Sequence, residues 1–270
     1  MQVALESRSR LEADLRVALQ NQEFRLYYQI QVDNQQRPVG AEALIRWEHP
    51  EQGLVYPAQF ISVAEETGLI QPIGHWVFQT ACAQLKAWEN NPLMRELSIA
   101  VNVSAKQFRQ PDFVEQVRRT LEMSAINPAL LKLELTESLL LDNIDETIVK
   151  MEALKLIGIR LSMDDFGTGY SSLSYLSKLP LDQLKIDLSF VLNIGVKPSD
   201  AVIVQTIIAM SKSLGLEVIA EGVETEAQNA FLELHGCPIG QGYLFGKPMP
   251  LIEFEWLLSH PRQGRMGVFD

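Results

Sequence analysis

Two cysteines, Cys82 and Cys237, are all that the chain contains, and they are not in metal-ligand spacing. A disulfide framework and a thiolate metal site are excluded on that count. Each thiol is expected to be a small buried residue in a reducing compartment. Long apolar runs are also missing: even "AVIVQTIIAM" is interrupted by Gln205 and Thr206, well short of the roughly 20 residues that span a bilayer. The opening "MQVALESRSRLEADLRVAL" is charged throughout and lacks the apolar core of a signal peptide, so a soluble, cytoplasmic domain is expected. Basic residues are few, 23 Lys and Arg against 34 Asp and Glu, for a formal charge of −11. That balance argues against a nucleic-acid polymer held on a basic surface. The four histidines, His49, His75, His235 and His260, are scattered without ligand spacing. No Ser/Gly-rich linker or low-complexity tract divides the chain, so residues 1–270 are read as one domain.

What is present is a regular alternation. "SRLEADLRVALQNQ" carries Leu11, Leu15, Ala18 and Leu19 at helical spacing and opens the chain as a helix. The alternating "FRLYYQIQVD" and, after a polar turn, "VGAEALIRW" read as two strands joined without a helix, a pair free to be antiparallel. Two helical stretches follow. Strand and helix then alternate through "LSIAVNVS", "LLKLELTES", "IRLSMDDF", "QLKIDLSF", "LEVIAEGV" and a last strand "GQGYLFG". With 47% hydrophobic residues over 270, this pattern fits an α/β fold closed as a modified (β/α)8, or TIM, barrel with one antiparallel strand.

Barrel chemistry sits at the C-terminal ends of the strands, and polar residues collect there: Glu42, Asn102, Glu134, Glu137, Asp164, Asp165, Lys185, Asp187, Glu221, Glu224 and Gln241. One such residue is most simply a solvated strand end or a helix cap. Six or seven strands repeating the placement point to a shared mouth. Adjacent carboxylates such as Asp164 and Asp165 repel unless protonated or given a cation. An all-oxygen donor set with a single lysine suits Mg2+ or Mn2+ better than metals that prefer Cys and His. Gly167 and Gly169 let the following loop turn tightly.

Seven segments, "EALIRW", "NVSAKQF", "LELTES", "MDDFGTGYSSL", "LPLDQLKID", "VIAEGVET" and "GCPIGQGYLFGKP", together resemble the EAL domain, the cyclic di-GMP phosphodiesterase family of bacterial second-messenger signalling. The resemblance runs from about Leu11 to about Pro250. It implies a barrel with one reversed strand and hydrolysis of one phosphodiester of cyclic di-GMP to linear pGpG, with Mg2+ or Mn2+, two ions being expected. Glu42, Asn102, Glu134 and Asp164 then resemble the ligands of one ion, and Asp164, Asp165 and Glu221 those of the second. Lys185 resembles the lysine beside the attacking water, and with Glu221 is taken as catalytic. Arg46 resembles a phosphate contact, Leu44 a neighbour of a guanine base, and Gln241 a supporting residue on the substrate side. Glu224 matches a second supporting position, and Glu137 the glutamate that holds the loop "FGTGYSS". Two positions depart from the family pattern: Ile30 stands where Pro is common and Leu188 where a basic residue is common. The resemblance also implies a possible homodimer and a possible upstream sensor or cyclase domain.

Three rivals compete with catalysis. A cyclic di-GMP receptor that has lost turnover is the nearest, but no expected ligand position is substituted. A phosphoacceptor receiver is about half as long and carries its acidic pair after the first strand. A barrel glycosidase needs only two carboxylates and has no use for Asn102 among so many acids.

Overall fold

The computed structural model describes residues 2–140, 143–167 and 173–260. Strands β1 (Phe24–Asp33), β2 (Pro38–His49), β3 (Gly53–Val55), β4 (Ser98–Val103), β5 (Leu131–Thr136), β6 (Arg160–Phe166), β7 (Gln183–Ile186), β8 (Glu217–Ala220), β9 (Ile239–Gln241) and β10 (Met249–Pro250) form a single sheet. It closes because β1 pairs with both β2 and β9, giving the ring β1-β2-β4-β5-β6-β7-β8-β9. β1 runs antiparallel to both neighbours, and every other ring pairing is parallel. The fold is therefore the barrel with one reversed strand. The reversal has a simple cause: the four-residue turn after Asp33 is too short for a crossover helix, so β2 must return beside β1.

Helices cover the outside of the ring. Ile70–Trp88 places Val77, Phe78, Ala81, Cys82 and Leu85 against it at helical spacing. Phe113–Ser124, Ile144–Ile157 and Pro198–Ser213 follow β4, β5 and the short helix after β7. A second apolar cluster seats the opening helix, Gln2–Gln20: Leu15 and Ala18 pack with Phe24, Trp47, Phe60, Leu69, Ile70 and Ile73. Tyr28, Trp88 and Phe254 join the closing helix, Leu251–Ser259, to the barrel wall. Among the described residues no helix is long and apolar enough to cross a membrane.

Two strands are shorter than their sequence patterns suggest. β7 stops at Ile186 because Asp187 accepts from the Ser189 backbone N–H at 3.0 Å and caps the helix Leu188–Val191. β9 ends at Gln241, where Gly242 presses backbone to backbone on Val223 and starts a turn that closes with Phe245 and Gly246 N–H on its carbonyl.

A Cβ on Gly242 would lie 2.2 Å from the Val223 carbonyl oxygen. Gly242→Ala should therefore lower stability by roughly 1–3 kcal/mol in denaturant melts. Gly53→Ala, left-handed but facing open space, should cost only about 1 kcal/mol. Burial pushes both thiols, Cys82 and Cys237, up to about 12. Neither should react with a thiol reagent at pH 8 in the native protein, and both should react in guanidinium.

Candidate functional site

Barrel closure turns one face of each strand inward, and at the C-terminal end those faces carry charge. Lys185, fully buried on β7, is the centre. Its Nζ lies 2.6 Å from Glu134 Oε2, 2.6 Å from Glu221 Oε1, 3.2 Å from Asp164 Oδ1 and 3.6 Å from Glu42 Oε2. Four strands or strand ends thus direct carboxylates at one ammonium. Glu42 is held from its other side by amides: Asn102 Nδ2 donates to Oε1 at 2.6 Å and Gln241 Nε2 to Oε2 at 2.6 Å. Gln241 is in turn fixed by Gln31, which donates to its carbonyl at 2.8 Å, and by Gln29, which accepts from its amide at 3.1 Å.

The adjacent pair Asp164 and Asp165 poses a geometric problem, because successive residues of a strand point to opposite faces. The register between β6 and β7 shifts between Met163 and Phe166, and Asp165 adopts a left-handed φ of 55°. This bulge lets the second carboxylate swing toward the first. The Asp165 N–H donates to Asp164 Oδ1 at 3.0 Å, which holds the turn. As a result Asp164, Asp165 and Glu221 offer oxygens that all lie within 4.8 Å of one another.

The electrostatics are those of too many acids for one cation. Burial raises Glu134 well above the ordinary carboxylate range, with repulsion from Glu42 adding to it and Lys185 opposing. Burial acts on Glu42 too, but Lys185 and the amides of Gln241 and Asn102 outweigh it and hold that group low. Glu221 is pushed up to about 8 by burial, against Lys185, with Asp164 and Glu42 contributing. Asp165 is pushed up to about 6 by burial, Asp164 and Asp187. For Lys185 burial works against the charge, and the surrounding carboxylates override it and raise the ammonium well above its usual value.

These residues fit a hard divalent cation. The donors are all oxygens, and Glu134 Oε1 is buried without a hydrogen-bond partner among the described residues. A buried acceptor in that state is costly unless a cation or donor meets it.

Of the residues read from the sequence, Glu42, Asn102, Glu134, Asp164, Asp165, Lys185, Glu221 and Gln241 come together here. Leu44 and Arg46 lie on the Glu42 face of β2, two and four residues on. Leu44 lines a cavity of about 290 Å³ with Ile45, Ile61, Ile73, Asn102 and Thr136. Glu224 stands apart: it is exposed, and its backbone N–H donates to Gln228 in the cap of the helix Glu226–His235. Glu137 opens the turn after β5, and residues 168–172 of the loop assigned to it lie outside the described residues.

Two features were not read from the sequence. Gln29 and Gln31 form the amide ladder under Gln241, a pairing signalled by their period-two spacing in "YYQIQV". Below the acids, buried Lys132 donates to Gln183 at 2.8 Å, Gln183 donates to Glu217 at 2.8 Å, and Arg160 pairs with Glu217 at 3.1 Å. That layer fills the barrel centre with matched polar groups.

A closed α/β barrel with a cluster of carboxylates around one lysine at its mouth is the class that fold and site define. The chain belongs to the EAL domain family, whose model matches residues 12–248. It is 46% identical over 238 residues to the bifunctional diguanylate cyclase/cyclic di-GMP phosphodiesterase MucR of Pseudomonas aeruginosa, covering 88% of this chain and 35% of MucR. It is 44% identical over 251 residues to the cyclic di-GMP phosphodiesterase NbdA of the same organism, covering 92% of this chain and 32% of NbdA. The chain thus spans about a third of the length of these relatives. Among solved structures, the MucR phosphodiesterase in complex with c-di-GMP superposes with a TM-score of 0.88 at 45% identity, over 91% of this chain and 99% of that one. The EAL enzyme Bd1971 with cAMP and cyclic di-GMP bound gives 0.90 at 35% identity, over 94% and 70%.

Because Glu134 is crowded by other acids and Lys185 keeps Glu42, Asp164 and Glu221 without it, Glu134→Gln should leave the metal-free melting temperature nearly unchanged. The same variant should lose most of the thermal shift that Mg2+ or Mn2+ gives the native chain, as scanning calorimetry can measure.

Proposed function

We propose that this domain hydrolyses cyclic di-GMP to linear pGpG with Mg2+ or Mn2+, using two ions. The observation that carries this reading is the convergence of Glu42, Glu134, Asp164 and Glu221 on Lys185 in a chain of the EAL family. Glu42, Asn102, Glu134 and Asp164 would hold one ion, and Asp164, Asp165 and Glu221 the other. When bound, such ions neutralise phosphodiester oxygens and acidify water for in-line attack.

The chain's own groups complete the chemistry. Lys185 brings a fixed positive donor beside the oxygen on which charge develops, in a site that needs no reorganisation. Glu221, 2.6 Å from that ammonium, is a nearby acceptor for the proton that water gives up. Water oxygen bonds to phosphorus, one ester P–O bond breaks, and the departing sugar oxygen takes a proton. Arg46 contacts a phosphate and Leu44 borders a guanine base, both on the β2 face that also carries Glu42. Gln29, Gln31 and Gln241 keep Glu42 in its rotamer, while Glu137 supports the site from its edge. The relatives' greater length supports a further sensor or cyclase domain in the whole protein, and the family resemblance supports a homodimer.

A chromatographic time course with cyclic di-GMP, Mg2+ and a chelated control tests the reading. Metal-dependent pGpG is expected. Saturable binding without product would make the domain a receptor instead. Asp165→Asn should reduce kcat at least roughly 10²-fold with an unchanged melt, since Asp165 is exposed. Full activity in that variant would remove Asp165 from the ligand set.

A further inference from the structure

A phosphate arriving at Arg46 would meet a guanidinium that is already oriented. Arg46 is only 7% exposed, yet among the described residues it makes no ion pair. Its Nη1 donates to the Ile45 carbonyl at 2.9 Å. Its Cζ lies 4.9 Å from the centroid of the Tyr56 ring and 5.6 Å from that of Tyr27.

The two rings reach it from β1 and from the residue that follows β3, on either side of the C-terminal part of β2. Tyr27 lies on β1, paired with Leu44, so its side chain shares the face of Leu44 and Arg46. Tyr56 follows β3 directly, and the β2–β3 register, in which Trp47 faces Val55, brings residue 56 across from residue 46. The guanidinium thus lies over both rings, and its one described hydrogen bond is to the Ile45 carbonyl. Contact with a ring through the π face uses up no N–H group, so the remaining donors are available to an anion, and the two rings restrict the rotamers that a long side chain would otherwise sample.

Resting on the phosphodiesterase reading, we propose that Tyr56 and Tyr27 are positioning residues that clamp the Arg46 guanidinium for a phosphate of the ligand. The clamp sets affinity and not the bond-breaking step, because it touches neither Lys185 nor the acids. Tyr56 is the better probe of the two: it is 53% exposed, so its truncation leaves the core intact.

The test measures kcat and KM for cyclic di-GMP with Mg2+ in the native protein, Tyr56→Ala, Tyr56→Phe, Arg46→Ala and the double variant Arg46→Ala/Tyr56→Ala. Tyr56→Ala should raise KM roughly three- to tenfold with kcat nearly constant, the factor expected for one stacked cation contact. Tyr56→Phe, which keeps the ring, should restore most of that affinity. In the Arg46→Ala background the Tyr56 truncation should add nothing, because the partner is already gone. An unchanged KM in Tyr56→Ala, a loss confined to kcat, or additive effects in the double variant would each overturn the clamp while leaving the phosphodiesterase reading intact. A native protein that neither turns over nor binds cyclic di-GMP would overturn that reading and the clamp with it.

Discussion

A single buried ammonium, Lys185, organises the interior of this barrel. Carboxylates from β2, β5, β6 and the end of β8 all lie within 4.0 Å of it, and none of them would be tolerable there without it. Burying an ion is costly unless its partners are close and their remaining lone pairs are satisfied. Around Glu42 the requirement is met by amides. Around Glu134 it is not met, since one oxygen has no partner among the described residues. The structure thus holds more negative charge than its own cation can balance, and the imbalance lies on the side where Asp164, Asp165 and Glu221 meet. A hard cation is the group that would offset that imbalance.

The rest of the architecture can be understood as what this charge cluster needs. A reversed β1 brings Gln29 and Gln31 into the ring so that Gln241 can be anchored and pass a donor to Glu42. The bulge in β6 converts a strand alternation into a convergent pair. The layer of Lys132, Gln183, Glu217 and Arg160 keeps the barrel centre polar yet paired, so the acids above it rest on matched groups.

Much of this was legible in the sequence. The strand and helix periods, the short turn after "FRLYYQIQVD" and the polar residues at strand ends led to the barrel and to eight of the residues that meet at its mouth. What escaped was decided by three-dimensional detail. The left-handed Asp165 leaves no mark on an Asp-Asp pair in sequence, since only the register of β6 against β7 reveals it. Asp187 does stand at the mouth, where it acts on Asp165, but nothing in the sequence showed that one of its oxygens also caps the next helix. Glu224 shares the "AEGVE" segment with Glu221, yet the left-handed Gly222 between them turns the chain and leaves Glu224 exposed. Tyr56 carries no motif at all; only the β2–β3 register brings it to Arg46.

The central claim is that the charge imbalance around Lys185 is a cation site. Anomalous diffraction from crystals grown with Mn2+ tests it most directly. Anomalous peaks bounded by the carboxylates of Asp164, Asp165 and Glu221, and by those of Glu42 and Glu134, are the predicted result. A mouth without anomalous signal at saturating Mn2+, with Lys185 still paired to all four acids, would contradict the account.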